Sequence, residues 1–253
     1  MISRLIVTAA LIGTIVATLT ITPIYGSESP QPFRLTDEIK NGINAIVDTN
    51  KTHAALVIGI IDPNGTQFYS LGKFSKANNS NVNENTIFAI GSITKVFTTI
   101  LLADAVQKGL IKLDDPVDKY LPSNVKVPQY NGHKITIEDL ATHRSGLPEV
   151  PPNYCPDFAN SEANVHTPDE KVKWTRNLSD CSKNYTFDQF YQGLSNTKLS
   201  REPGSKYEYS NFGVALLGNI LVSKSNMSSY EELVTKKILN VLGMNSTSVN
   251  LSD

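Results

Sequence analysis

The chain has 253 residues, of which 40% are apolar and 19% are charged, an ordinary composition for a soluble globular protein. Its formal net charge is −1, so charge gives no reason to expect binding to nucleic acid or to an acidic membrane surface. The length allows one large domain or two small ones.

The first 27 residues have the layout of a secretory signal. Arg4 precedes a run from Leu5 to Ile21 that has no ionisable group, and the small pair Gly26-Ser27 follows. Because this run also reaches the lower limit for crossing a bilayer, an uncleaved membrane anchor at residues 5–22 is the alternative. Either interpretation places residues 28–253 outside the cytoplasm, secreted or anchored at the outer face of the membrane.

The next segment predicts one helix and one β-hairpin. Thr36 can cap a helix whose apolar residues repeat at helical spacing. Ala54 to Asp62 and Thr66 to Leu71 then predict two strands joined by a turn at Pro63-Asn64-Gly65. Since one hairpin is not a stable sheet, we expect it to need further strands.

The rest of the chain has mainly helical patterns. A long helix is predicted from Ser92 to Lys108, with Gly109 as its C-cap. The side of this helix expected to face the core carries Val96, Phe97, Ile100, Leu101 and Ala105. Three more helices are predicted, beginning at a capping box at Thr136, spanning Phe212 to Val222, and running from Ser228 to Gly243.

Two cysteines, Cys155 and Cys181, bracket a polar segment. In an oxidising compartment an isolated pair usually bonds, and closing such a loop stabilises a fold by about 3 kcal/mol. The alternative is two unrelated thiols. Their spacing does not fit a CxxC redox or zinc motif.

The motif Ser-x-x-Lys occurs four times, at Ser70/Lys73, Ser92/Lys95, Ser123/Lys126 and Ser195/Lys198. Only Ser92 is predicted to begin a long helix. A serine there lies at the positive end of the helix dipole, its own N–H can stabilise an oxyanion, and Lys95 lies on the same face. The plain alternative is that Ser92 caps the helix and Lys95 is a solvated side chain.

The motif Tyr-x-Asn occurs once, at Tyr209 to Asn211. A serine hydroxyl needs a nearby base, and a lysine or tyrosine with a lowered pKa can provide it. Tyr209 is therefore a candidate proton shuttle, and Asn211 a candidate hydrogen-bonding arm to substrate or to Lys95. The plain alternative is a loop tyrosine packed on the core, followed by an asparagine that starts a helix.

Other chemistries find no support in the sequence. It has no Gly-x-Ser-x-Gly elbow and no Gly-rich phosphate loop, and its four histidines form no HExxH and have no cysteine ligands nearby, so no motif indicates a metal site or a phosphate-binding loop. His143 is interpreted as the end of a short helix and not as the base of a triad.

These motifs together resemble the serine β-lactamase-related family, which includes class C β-lactamases, D-alanyl-D-alanine carboxypeptidases, penicillin-binding proteins and related esterases. The residues of these motifs are most similar to those of the carboxypeptidase/endopeptidase branch, which is AmpH-like. The resemblance covers most of residues 36–249 and is carried by Phe88 to Phe97, Leu113 to Val117, Ile135 to Pro148, Pro203 to Gly218 and Leu242 to Met244.

The resemblance implies an α+β fold of the β-lactamase/transpeptidase type, an α/β sandwich in which an antiparallel sheet with flanking helices lies beside an all-helical subdomain. Ser92 would be the acylated nucleophile, Lys95 its partner in deprotonation, Tyr209 the base and Asn211 a substrate-binding residue. The substrate would be a D-Ala-D-Ala peptide, a β-lactam or a small ester, and no cofactor would take part.

One family motif is missing. A Lys- or His-x-Gly should follow Tyr-x-Asn, but none of the three glycines after Asn211 has Lys or His two residues before it. We therefore expect residues 28–253 to be an incomplete member of the family without the later sheet strands. An exported serine hydrolase is the first hypothesis. The alternatives are a non-catalytic binding module and an esterase for small esters.

Overall fold

A computed structural model describes residues 36–49, 55–63, 65–73, 80–156, 167, 170, 173 and 180–250. The chain forms two compact units, residues 1–88 and residues 89–253. Within the described residues no helix is both long enough and apolar enough to cross a membrane. The proposed signal or anchor at residues 1–27 lies outside them.

The described residues of the first unit form a helix and a hairpin. Helix α1 spans Asp37–Thr49, and the hydroxyl of Thr36 accepts a hydrogen bond from the Ile39 N–H, as its capping role predicted. Strands β1 (Leu56–Asp62) and β2 (Gly65–Leu71) pair in antiparallel register, from Leu56 opposite Leu71 to Asp62 opposite Gly65. The predicted hairpin is therefore confirmed.

This hairpin carries little buried surface of its own. Within the described residues β1 and β2 pair only with each other, and none of their side chains is fully buried. Ile61 and Phe68 are exposed, and Val82 is the one buried apolar residue described in this unit. Burial is the main stabilising force in folding, so this unit has few means to hold its strands by itself.

The second unit begins with the predicted long helix. A 3-10 turn at Gly91–Ile93 leads into helix α2, Thr94–Gln107. After α2, Gly109 has a φ of +69°, which suits the left-handed position after a helix end.

The expected core face of α2 was partly wrong. Leu101 and Ala105 are buried as predicted, but Val96 and Ile100 are 54% and 48% exposed. Thr98 and Leu102 are buried in their place. Since α2 is apolar on most of its circumference, periodicity alone did not fix which face would pack inward.

Short elements follow α2. A 3-10 turn at Val117–Tyr120 precedes the two-residue strands β3 (Gln129–Tyr130) and β4 (His133–Lys134), which pair with each other. Helix α3 covers Ile137–Ala141 and begins at the predicted capping box. There Thr136 accepts from the Asp139 N–H while the Asp139 carboxylate accepts from the Thr136 N–H.

The described part of the second unit also contains helices α4 (Phe187–Asn196), α5 (Asn211–Ser225) and α6 (Tyr230–Val234), the last of which continues as a π-helical turn at Thr235–Leu239. Helix α5 packs against α2, α3 and α6. It is apolar on nearly all sides, as expected for a central helix. Its fully buried residues include Phe212, Leu216, Leu217 and Ile220.

The two cysteines lie next to each other. The sulfur atoms of Cys155 and Cys181 are 2.01 Å apart and their Cα atoms 5.9 Å apart, across a sequence separation of 26 residues. Most of the residues between them lie outside the described part of the chain.

We expect the Cys155–Cys181 bond to form in the exported protein, because an oxidising compartment favours disulfides between neighbouring thiols. Non-reducing peptide mapping of protein recovered from outside the cytoplasm should give one cross-linked peptide pair. Free thiols at both positions would contradict this expectation.

Hydrogen exchange should differ sharply between the two units. Backbone amides of α5 should exchange most slowly because their side chains form the core, and those of α1, β1 and β2 should exchange much faster because none of their described side chains is fully buried. Exchange followed by mass spectrometry of the full chain measures this. Equal protection of the hairpin and α5 would show that the hairpin has a stabilising contact that its own residues do not provide.

Candidate active site

The two sequence motifs meet in the second unit. Ser92 lies in the 3-10 turn before α2, and Lys95 lies in the first turn of α2. Tyr209 lies in the segment before α5, and Asn211 is the first residue of α5. The four candidate residues are therefore supplied by the N-terminal ends of two packed helices.

The lysine is the centre of the hydrogen-bond network. Lys95 Nζ donates to Ser92 Oγ at 3.0 Å and to Asn211 Oδ1 at 2.6 Å. The Ser92 hydroxyl also shares a hydrogen bond of 2.5 Å with the Tyr209 hydroxyl, in which either oxygen can donate. Lys95 Nζ lies 4.8 Å from the centre of the Tyr209 ring.

This geometry overturns the plain alternative for Ser92. Neither the 3-10 turn nor α2 has a side chain that caps its N-terminus, so Ser92 is not a helix cap. Its hydroxyl is exposed and bonds to Lys95 and Tyr209 instead. Asn211 does begin a helix, as its alternative required, but its side chain is also used to hold Lys95.

Ser210 positions the Tyr209 and Asn211 side chains. It caps α5 by accepting a hydrogen bond from the Gly213 N–H at 2.9 Å, and its hydroxyl donates to the Pro148 carbonyl at 2.7 Å. The Phe212 N–H donates to the Glu149 carbonyl at 2.9 Å. These bonds attach the start of α5 to the segment that follows α3.

Gly213 lies close to two serine hydroxyls. A Cβ atom there would lie 3.4 Å from both Ser145 Oγ and Ser210 Oγ, in van der Waals contact with each. Ser145 is itself buried, and its hydroxyl accepts a hydrogen bond from the Leu147 N–H. The stretch after α3 is thus packed directly beneath the Tyr-x-Asn segment.

His143 is the residue of the site that the sequence reasoning missed. It lies two residues beyond the end of α3, close to the predicted position, but its ring stacks on Tyr209 with centres 4.6 Å apart. Its Nδ1 accepts a hydrogen bond from the Ser210 N–H at 3.1 Å. The available signal was its place in the Thr142 to Pro148 stretch that carried the family resemblance.

The charges of the site shift two pKa values. The Lys95 ammonium, followed by the hydrogen bond with Ser92, lowers the pKa of Tyr209, while the nearby Glu149 acts in the opposite direction. Burial, followed by the positive charge of Lys95, lowers the pKa of His143. A lowered tyrosine pKa makes the phenolate more accessible, which is what a general base requires.

No group of three or more His, Cys, Asp or Glu residues in the described part of the chain is arranged to hold a metal ion. The arrangement supplies instead an exposed hydroxyl, a proton acceptor at hydrogen-bond distance and an ammonium group next to both. These are the parts of an activated serine nucleophile.

Comparison with known proteins agrees with this geometry. The sequence matches the family described as Beta-lactamase over residues 43–253. This chain belongs to the beta-lactamase family. The resemblance inferred from the motifs is therefore confirmed.

Two curated relatives illustrate the match. AmpH of Escherichia coli strain K12, a D-alanyl-D-alanine-carboxypeptidase/endopeptidase, is 34% identical over 196 residues, which is 78% of this chain and 45% of AmpH. A beta-lactamase of the same strain is 28% identical over 221 residues, 87% of this chain and 50% of the relative. The chain thus spans about half the length of these relatives.

Among solved structures, a beta-lactamase/D-alanine carboxypeptidase from Yersinia pestis, complexed with citrate, has a TM-score of 0.63 and 29% identity to this chain. The match covers 82% of this chain and 55% of the Yersinia pestis chain. The predicted α+β fold of the β-lactamase/transpeptidase type is confirmed by this likeness, together with the observed mixture of helices and small antiparallel sheets.

Replacement of Lys95 tests the electrostatics of the site. In Lys95→Met the pKa of Tyr209 should rise towards its ordinary value of about 10, because the main cause of its lowering is removed. The measurement is an NMR titration of protein with ¹³C-labelled tyrosine, with the Tyr209 signal assigned by Tyr209→Phe. Lys126→Met, in another Ser-x-x-Lys motif, is the matched control. An unchanged Tyr209 titration in Lys95→Met would contradict the assignment.

Proposed function

We propose that this chain is an exported serine hydrolase that forms an acyl-enzyme at Ser92. The observation that carries the proposal is the exposed Ser92 hydroxyl, hydrogen-bonded both to Tyr209 and to Lys95. Family membership makes serine acyl transfer the reaction class to expect of such a site. The names of the relatives suggest D-Ala-D-Ala peptides and β-lactams as substrates, and small esters are a second class with the same acyl chemistry.

In the proposed acylation, Ser92 Oγ attacks the substrate carbonyl carbon while its proton passes to the Tyr209 oxygen. The Lys95 ammonium stabilises the phenolate form of Tyr209 before the transfer. When the bond to the leaving group breaks, that group takes the proton from Tyr209, and the acyl group remains on Ser92. Water then gives a proton to Tyr209 and attacks the acyl carbon. As the bond from that carbon to Ser92 Oγ breaks, Oγ takes the proton from Tyr209 and the carboxylic acid product is released.

Asn211 has a supporting role in this proposal. Its Oδ1 accepts from Lys95 at 2.6 Å, and its amide nitrogen donates to Glu149 at 3.4 Å. It thereby holds the ammonium next to Ser92 Oγ and over the Tyr209 ring. The side of Asn211 that faces solvent is a candidate contact for substrate.

Export rests on the sequence of residues 1–27, with either cleavage or retention of the apolar segment. Residues 28–253 would then be the hydrolase domain. The alternative is a non-catalytic binding module that keeps the fold without turnover.

Labelling of Ser92 decides between these functions. The full-length chain is incubated with a fluorescent penicillin and, separately, with a fluorophosphonate, and the adduct is located by mass spectrometry. We expect one equivalent on Ser92, none in Ser92→Ala, and normal labelling in Ser123→Ala, which removes a serine from a second Ser-x-x-Lys motif. Label that persists in Ser92→Ala would exclude Ser92 as the nucleophile.

Turnover separates the enzyme from the binding module. The 253-residue protein is assayed with nitrocefin, p-nitrophenyl esters and D-Ala-D-Ala peptides. In these assays Tyr209→Phe should lower the acylation rate about 10²- to 10⁴-fold, as expected for loss of a general base. Binding of penicillin without any acylation or turnover would favour the non-catalytic module.

A further inference from the structure

We propose that His143 is a positioning residue that holds the Tyr209 phenol against Ser92, and that it does so as a neutral imidazole with Nδ1 unprotonated. This inference rests on the proposed function, because it concerns the geometry of the proposed base. His143 touches neither Ser92 nor Lys95 through a hydrogen bond in the described part of the chain, so its effect is transmitted through Tyr209.

His143 accepts hydrogen bonds from the backbone on both sides of Tyr209. The N–H of Ser210, the residue after Tyr209, donates to the His143 ring at 3.1 Å. The N–H of Glu208, the residue before Tyr209, donates to the His143 carbonyl at 2.7 Å. One residue therefore satisfies both flanking amides and fixes the course of the backbone through Tyr209.

The His143 ring also contacts the Tyr209 ring. Their centres are 4.6 Å apart with an angle of 33° between the planes, and Tyr207 meets the His143 ring edge-on at 5.8 Å. Contact between aromatic rings restricts the side-chain rotation of Tyr209. Because the Tyr209 hydroxyl must remain 2.5 Å from Ser92 Oγ, such restriction bears directly on the proposed proton transfer.

The backbone of His143 limits which residues can replace it. Its φ is +58°, a left-handed conformation that histidine, asparagine and aspartate adopt more readily than other non-glycine residues. Of these, asparagine also offers a side-chain oxygen that can accept the Ser210 N–H and cannot be protonated near neutral pH. Asparagine is therefore the conservative replacement.

The ring must be neutral for this arrangement to exist. Nδ1 accepts a hydrogen bond, so its protonation would set a second N–H donor against the Ser210 N–H. It would also add a positive charge near Lys95, the charged group of α2 that faces His143. The other titratable groups around the ring are Tyr207 and Tyr209, and Glu149 reaches the site through Asn211.

The protonation state of His143 should make the acylation of Ser92 depend on pH. The folded-state pKa of His143 is lowered by burial and then by Lys95, so the neutral form is complete above the unfolded pKa of about 6.5. As the pH falls below that value and through the lowered folded pKa, the contact with Ser210 is lost. Acylation should then decline on the acidic side.

The test compares His143→Asn with His143→Phe. The phenylalanine variant keeps an aromatic ring but has no acceptor for Ser210, and its rate constant for phosphonylation of Ser92 by a fluorophosphonate, with fluoride as the leaving group, should fall about 100-fold. The asparagine variant should restore most of that loss and should lack the additional acidic decline below about pH 6.5 that protonation of His143 is expected to cause in the native chain. His133→Phe, at an exposed histidine in β4, is the control and should behave like the native chain.

Two readouts do not depend on activity. Nitrogen-15 NMR of the native chain should show His143 with Nδ1 unprotonated at neutral pH. The ¹³C signal of Tyr209 should move in His143→Phe and stay near its native position in His143→Asn, with melting temperature reporting whether each variant is folded. The inference is wrong if His143→Phe leaves the Tyr209 signal and the labelling rate of Ser92 unchanged, or if His143→Asn lowers that rate as much as His143→Phe does. It is also wrong if Nδ1 is protonated at neutral pH. An unlabelled Ser92 with the expected NMR results would overturn the proposed function alone.

Discussion

The candidate site depends on one buried residue, Ser210, which is 1% exposed and lies between the two residues of the Tyr-x-Asn motif. Its hydroxyl accepts from the Gly213 N–H, which begins α5, and donates to the Pro148 carbonyl. Its own N–H donates to His143. Because these three bonds fix Ser210, its neighbours Tyr209 and Asn211 are both held within reach of Lys95. A buried polar residue with all of its bonds made is a rigid point in a fold.

The second constraint is the location of positive charge. Lys95 is hydrogen-bonded to Ser92 and Asn211 and lies over the Tyr209 ring, so its three N–H groups are largely committed to the proton-transfer apparatus. It is therefore badly placed to hold a substrate carboxylate as well. In the proposed reaction the ammonium serves to stabilise the phenolate of Tyr209, and recognition of a charged substrate must come from other groups.

Much of this arrangement could be predicted from sequence because it depends on local signals. Three features were predicted from residues within four positions of one another: the capping box at Thr136, the glycine after α2 and the turn of the hairpin. Two results could not be read in that way. The exposed Val96 and Ile100 show that an apolar helix does not reveal its buried face, and the role of His143 depends on contacts with residues more than sixty positions later. Only the folded chain brings His143 to Ser210.

Proton transfer and substrate capture are thus separable in this chain. Every group proposed to move a proton lies within residues 92–211, on the ends of two helices that pack against each other. Stabilisation of an oxyanion needs two donors aimed at one oxygen, and the N–H of Ser92 can supply only one of them. Attack by Ser92 therefore requires a second donor besides the proton-transfer groups, so activation of the nucleophile and stabilisation of the oxyanion are contributed by different groups.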